Sequence, residues 1–270
     1  MKILVTNDDG INAESLWALV RQLHEVAEVV VFAPDAERSA IGTAVSLFKP
    51  LHVKEFKSPV PGVTAFSTDG TPGDCVILGH GRLVTGLDMV VSGINPGPNY
   101  GEDVYISGTV GAAMQAYTRG LPALAVSATY PKTSVPAPGV ILPVSKYAIE
   151  AGARVAAVLV KRIAAAGFPH IFLNLNVPDL PLENINELEV TRLARSSHIN
   201  TVTEENGGPV KLYRMVRERI ASAGRPGTDI HAVMAGNMSL TPIFMSLFEK
   251  PPQRLMKTLA EGLLNEAKKF

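Results

Sequence analysis

A chain of 270 residues, 46% hydrophobic and 19% charged, has the apolar mass for one large domain and is too apolar for a disordered chain. Its 25 basic and 25 acidic residues cancel, and no Lys/Arg run is present, so nothing marks a surface for a nucleic-acid duplex or an anionic membrane. No stretch of about 18 apolar residues occurs, Asp8 and Asp9 come too early for a signal peptide, and a lone Cys75 excludes an internal disulfide. A soluble cytoplasmic protein without membrane attachment is expected.

Ile3–Thr6 reads as a short strand buried on both faces, and Ala13–Val26 as a helix with Leu16, Leu19, Val20 and Leu23 at helical spacing. Glu28–Asp35 is a second buried strand. Strand, helix and strand within about 35 residues make a βαβ unit, which builds parallel sheets. The pattern continues: "GDCVILGHG" reads as a helix with Cys75 in its core, Asp88–Gly93 as a strand, Gly108–Gly120 as a helix and Ala123–Ala128 as a strand. Pro143–Ala166 is a long Ala/Val-rich helix and His170–Pro178 one more strand. After Pro181 the texture changes. "INELEVTRLA" and "VKLYRMVRERI" alternate like the strands of an exposed hairpin, with the polar stretch Ser196–Pro209 between them. "MSLTPIF" returns to the main body, and Pro251–Phe270 reads as a closing amphipathic helix. The expected fold is α/β, a doubly wound, mostly parallel sheet with a β-hairpin arm and a C-terminal helical segment. Its expected parts are a core over 1–180, an arm and return strand over 181–240, and a C-terminal helix over 241–270.

Ligands of such sheets sit beyond the carboxyl ends of the strands. Strand one ends in Asn7-Asp8-Asp9-Gly10, where Asp-Gly is also a common turn pair. Two unit charges about 4 Å apart at an effective dielectric near 20 repel by about 4 kcal/mol, and a cation is the usual remedy. Hard oxygen ligands suit Mg²⁺ or Mn²⁺. Asn95 and Asn99 lie on the loop "SGINPGPNYG" past another strand end. Ser107-Gly108-Thr109 opens a small-residue helix, either as a phosphate-binding N-terminus or as a plain N-cap. Ser39 reads as a cap or a ligand, and Arg38 as a phosphate contact or a surface residue. His24, His52, His80, His170, His198 and His231 show no metal-ligand spacing and read as structural.

In chain order, "ILVTNDDG", "APDAERS", "GTPGDCV", "VVSGINPGPNYG", "SGTVGAAM", "PALAVS", "LNVPDLP" and "PGTD" followed by "MSLTP" resemble the SurE family of metal-dependent nucleotidases over nearly the whole chain. The resemblance implies a Rossmann-like catalytic core and hydrolysis of nucleoside 5′- and 3′-monophosphates. It implies one divalent metal ion per subunit, held by Asp8, Asp9, Ser39 and Asn95. It also implies a homodimer or tetramer that exchanges the arm and C-terminal segment. On this basis the metal activates a water that Asp8 or Asp9 orients or deprotonates, while Asn99, Ser107, Gly108 and Thr109 hold the phosphate. The chain departs from the family pattern at Ala40, Ile106 and Asn237, and not at the metal-ligand positions.

Other readings fit less well. "STDGT" resembles the signature of haloacid-dehalogenase-type phosphatases, but Ser67 stands where the nucleophilic Asp belongs. A phospho-receiver module needs a shorter chain and a lysine at a late strand end, which "ALAVSAT" does not offer. A dinucleotide fingerprint is absent from the first βα turn. A binding protein without turnover, and an exopolyphosphatase or broad-specificity acid phosphatase of the same fold, remain alternatives.

Overall fold

The computed structural model describes residues 1–131, 144–195, 198–205, 211–219 and 224–244, the backbone alone at 198–200 and 217–219. Apolar β-branched runs form the central strands, whose residues are buried on both faces as parallel sheets require. Strand β1 is Lys2–Thr6, β2 Glu28–Pro34, β5 Met89–Pro96, β6 Ala123–Ala128 and β7 Phe172–Val177. Two further strands, β3 Val53–Glu55 and β4 Thr64–Thr68, were not anticipated; the first is exposed and only three residues long. With β8 Leu188–Val190 and β11 Met238–Pro242, the order among the described residues is β3-β4-β2-β1-β5-β6-β7-β11-β8. The strands β4, β2, β1, β5, β6 and β7 run parallel, while β3 and β11 join antiparallel.

Successive residues of β1 feed opposite faces. Ile3 and Val5 join the core beneath α1 (Glu14–His24) and α4 (Lys146–Ala165), and Leu4 joins the core beneath α2 (Pro72–Leu78) and α3 (Gly108–Tyr117). Helix α1 buries Leu16, Trp17, Leu19, Val20 and Leu23. Each such aliphatic side chain stabilises by roughly 2 kcal/mol on burial. Thr71 and Asp74 form a capping box at the start of α2, with N–H bonds of 3.1 and 2.9 Å. The "STDGT" segment thus does structural work, ending β4 and capping α2. The Cys75 thiol is buried and pushed up by that burial, as a core residue and not a nucleophile.

The arm differs in detail from the expected one. Its strands are β9 His198–Glu205 and β10 Leu212–Arg219, paired antiparallel. The first lies inside the stretch expected as the connection. The segment expected to supply it instead contributes β8, which pairs parallel with β11 at the edge of the main sheet. Alternation alone does not distinguish a hairpin strand from an edge strand. "MSLTPIF" does return to the main body, as β11 against β7. A seven-residue helix, α5 (Asp229–Ala235), was not anticipated. The expected helix over Pro251–Phe270 lies outside the described residues.

From β1 the chain winds outward through β2 and β4, then crosses to β5 on the other side. This switch point between β1 and β5 opens a crevice at their carboxyl ends. Helix α3 approaches it closely: a Cβ on Gly111 would lie 2.2 Å from the Gly42 carbonyl oxygen. Gly111→Ala is therefore expected to destabilise the protein by about 2 kcal/mol through overpacking. Gly81→Ala, with nothing within 4 Å, leaves stability nearly unchanged. Urea unfolding of both variants checks the contrast.

Candidate metal and phosphate site

The turn after β1 is closed by Asn7. Its amide donates to the Gly10 carbonyl at 3.0 Å and accepts from the Gly10 N–H at 3.2 Å. Gly10 takes φ +97°, a conformation that side chains with a Cβ rarely adopt. The Ile11 N–H donates to the Pro34 carbonyl, and the Arg38 N–H to the Asp8 carbonyl, each at 2.7 Å. The loop after β2 is thereby sewn onto the turn that carries the two carboxylates.

Asp8 is 4% exposed. Its Oδ1 accepts a hydrogen bond from the Thr109 hydroxyl. Burial nevertheless pushes its carboxyl above the usual range, against the lowering effect of the Thr109 bonds. Asp9 is pushed up to about 8, first by burial, then by Asp8 and Glu37. Its Oδ2 is buried without a hydrogen-bond partner. Two carboxyls raised together mark negative charge that the protein leaves uncompensated, which a divalent cation would balance.

The other expected ligands are placed unevenly. Asn95 follows a register shift in β5 between Ser92 and Asn95, at the rim where such irregularities re-aim side chains. Its Nδ2 donates to the Gly97 carbonyl at 2.7 Å, so the amide oxygen is the atom that could face a metal. Ser39 lies on an exposed loop, and its hydroxyl donates to Glu37 Oε1 at 2.7 Å. Among the described residues no three of His, Cys, Asp and Glu gather as a metal cluster. The candidate set is two carboxylates, an amide oxygen and a hydroxyl, all hard donors suited to Mg²⁺ or Mn²⁺.

The expected phosphate residues divide in two. Ser107 is the N-cap of α3 and accepts from the Val110 N–H at 3.1 Å. Gly108 brings that first turn onto Asp8: a Cβ there would lie 2.8 Å from the Asp8 Cβ and 2.9 Å from Oδ2. Thr109 is fully buried with its hydroxyl on Asp8. Asn99 instead sits in a buried amide network. Its Nδ2 donates to Ser127 Oγ at 2.9 Å and its N–H to Asn176 Oδ1 at 2.9 Å. Its carbonyl accepts from the Asn174 and Asn176 amides at 2.7 and 3.0 Å.

Several contributors were missed. Asn174 and Asn176 were legible as "LNLN", two amides in an otherwise apolar buried strand, which need partners. Asp229 accepts from the Gly101 and Ala194 N–H groups, both at 2.8 Å, and ties the loop after β5 to α5. Glu37 adds negative charge beside both aspartates. The Arg38 guanidinium is engaged within the chain, by the Asp69 and Gly70 carbonyls and Asp35.

A cavity of about 580 Å³ between α1 and α4 is lined by Asp9 and Pro96, and by Arg21, Lys146 and Arg154. Asp8, Asn95 and Thr109 do not line it, so the convergent polar groups lie at the strand ends and not in its body. A smaller cavity of about 260 Å³ at the ends of β2 and β4 holds His52 and Asp69. The hydrogen bonds from His52 hold the Asp69 carboxyl down at about 2.

A family model described as survival protein SurE matches residues 3–200. A 5′-nucleotidase SurE of Dehalococcoides mccartyi is 44% identical over 99% of this chain and 98% of its own length. Another, from Citrifermentans bemidjiense, is 37% identical over 96% of this chain and 98% of its own. The crystal structure of a SurE protein from Aquifex aeolicus superposes with a TM-score of 0.75 at 31% identity, covering 98% of this chain and all of that one.

The raised carboxyls set a pH dependence. A group whose folded pKa exceeds its unfolded value of 3.8 contributes its stability below that value and loses it as pH rises through the folded pKa. For Asp9 that window runs from 3.8 to about 8. The Tm of EDTA-treated protein is expected to fall between pH 5 and pH 8.5, and added Mn²⁺ to raise it more at pH 8.5 than at pH 5. Scanning fluorimetry across that range checks both.

Proposed function

The chain belongs to the SurE family, and on that premise we propose that it is a metal-dependent 5′-nucleotidase acting on nucleoside 5′- and 3′-monophosphates. The observation that carries the reading is the buried, mutually repelling pair Asp8 and Asp9 at the β1/β5 switch point, with the first turn of α3 against it. Asp8, Asp9, Ser39 and Asn95 would hold one Mg²⁺ or Mn²⁺ per subunit. Such a cation, when bound, acidifies a water and offsets phosphoryl charge.

The chain's own residues do the remaining work. Asp8 is fixed by Thr109 and serves as the anchored ligand. Asp9, with an unpartnered oxygen, orients the attacking water and accepts its proton. The first turn of α3, at Ser107, Gly108 and Thr109, offers its helix N-terminus to the phosphate, with Asn99 on the neighbouring loop. Cys75, buried in α2, is not placed to act as a nucleophile.

The arm supports a homodimer or tetramer. Val202, Tyr213 and Met215 are 63%, 60% and 80% exposed on β9 and β10, apolar surface that a second subunit would cover. No helix among the described residues is long and apolar enough to cross a membrane. A cytoplasmic location fits the unpaired Cys75.

Phosphate release from 5′-AMP, 3′-AMP and an aryl phosphate is expected to vanish with EDTA and return with Mn²⁺ or Mg²⁺. Asp8→Asn and Asp9→Asn should each lower kcat by about 100-fold or more. Metal-restored release that survives Asp8→Asn would remove the reading.

A further inference from the structure

We propose that the Thr109 side chain is a positioning residue for Asp8: its hydroxyl fixes the carboxylate for the divalent cation and does not contact the substrate phosphate. The inference rests on the metal-dependent reading above for what Asp8 holds.

Three observations carry it. Thr109 is 0% exposed, although it stands in the first turn of a helix that faces the crevice. A threonine hydroxyl has one proton to donate, and this one is given to Asp8 Oδ1. Meeting a phosphate oxygen as a donor would require breaking that bond and leaving a buried carboxylate oxygen short of a partner. The neighbouring residue completes the arrangement. Gly108 has no Cβ, and a Cβ there would strike the Asp8 side chain at 2.8 Å. One residue thus removes bulk and the next supplies the hydrogen bond. Residues 8 and 109 meet only because α3 packs over β5, the strand that pairs with β1.

A free carboxylate rotates about its terminal torsion with little preference. The Thr109 hydroxyl, the first of the hydrogen bonds that act on this carboxylate, restricts that freedom before the cation arrives, so less ordering is charged against metal affinity. Partners that hold a metal ligand in this way typically account for 10- to 100-fold in affinity. Ser107 makes the contrast. Its oxygen caps the helix at Val110, an ordinary N-cap contact with no link to the carboxylate pair.

Thr109→Val keeps the shape and removes the hydroxyl, and Thr109→Ser keeps the hydroxyl. Mn²⁺ affinity of the full chain is measured by calorimetry and by EPR of free Mn²⁺, without substrate. Thr109→Val is expected to weaken Mn²⁺ binding by about 10- to 100-fold, and Thr109→Ser to recover most of it. The Mn²⁺ needed for half-activation of 5′-AMP hydrolysis rises in step with the binding constant. Wild-type Mn²⁺ affinity in Thr109→Val, with weakened phosphate inhibition, overturns the proposal and makes the hydroxyl a phosphate contact. If Thr109→Val does not fold, Thr109→Ala is read in the same way. Wild-type protein that binds no Mn²⁺ overturns the proposal together with the metal dependence. Wild-type protein that binds Mn²⁺ but releases no phosphate removes only the nucleotidase reading, and the comparison of Mn²⁺ affinities still decides the role of Thr109.

Discussion

The close approach of α3 to Asp8 is the constraint on which the rest of the site depends. It requires a residue without a Cβ at Gly108 and again at Gly111, where the helix meets the carbonyl of Gly42. The loop after β2 is held between this helix and the turn after β1. Its residues bond to Asp8, Ile106 and Thr71 through the Arg38 N–H, the Gly42 N–H and the Ala44 carbonyl. Loops after β1 and β2 and the first turn of α3 are therefore one packed unit, and Ser39 is carried by it.

The polar groups around the strand ends differ in how completely the protein satisfies them. Asp69 has two hydrogen bonds from His52, and its carboxyl is held down at about 2. Asp229 is buried, and burial raises it, yet it is bonded to the N–H groups of Gly101, Ala194 and Ile230. Asn99 is bonded through side chain, N–H and carbonyl alike. The desolvation of Asp229 and Asn99 is offset by partners within the chain. Asp8 and Asp9 stand apart. Asp8 raises the carboxyl of Asp9, Glu37 raises both, and one oxygen of Asp9 has no partner. A site that is costly without a counterion is one whose missing component comes from solution.

Much of this was legible beforehand, because buried parallel strands and amphipathic helices leave local periodic signals. The strands at Ala123–Ala128 and Phe172–Val177 and the helices at Glu14–His24 and Lys146–Ala165 fall inside the expected segments. The strand ends then pointed to Asp8, Asp9, Asn95 and Ser107–Thr109 by the rule for open α/β sheets. Short or weakly patterned elements were not legible. A three-residue exposed strand such as Val53–Glu55 carries no periodic signal, and seven residues of α5 span barely two turns. In the arm, alternation gave two strands but not their partners, since β8 and β10 show the same pattern and pair with different sheets.

The sequence by itself determined the layers of the fold, the crowding of oxygen donors at its strand ends, and the ordered motifs that place the chain among SurE proteins. These follow from residue type and spacing along one segment at a time. Only the tertiary structure decided what each donor does. It put the Thr109 hydroxyl on a carboxylate 101 residues away, turned Asn99 into the hub of a buried amide network, and tied Arg38 to backbone carbonyls. Those roles depend on which strands neighbour one another and on where a missing Cβ lets a helix come close, and neither is a property of any local stretch of chain.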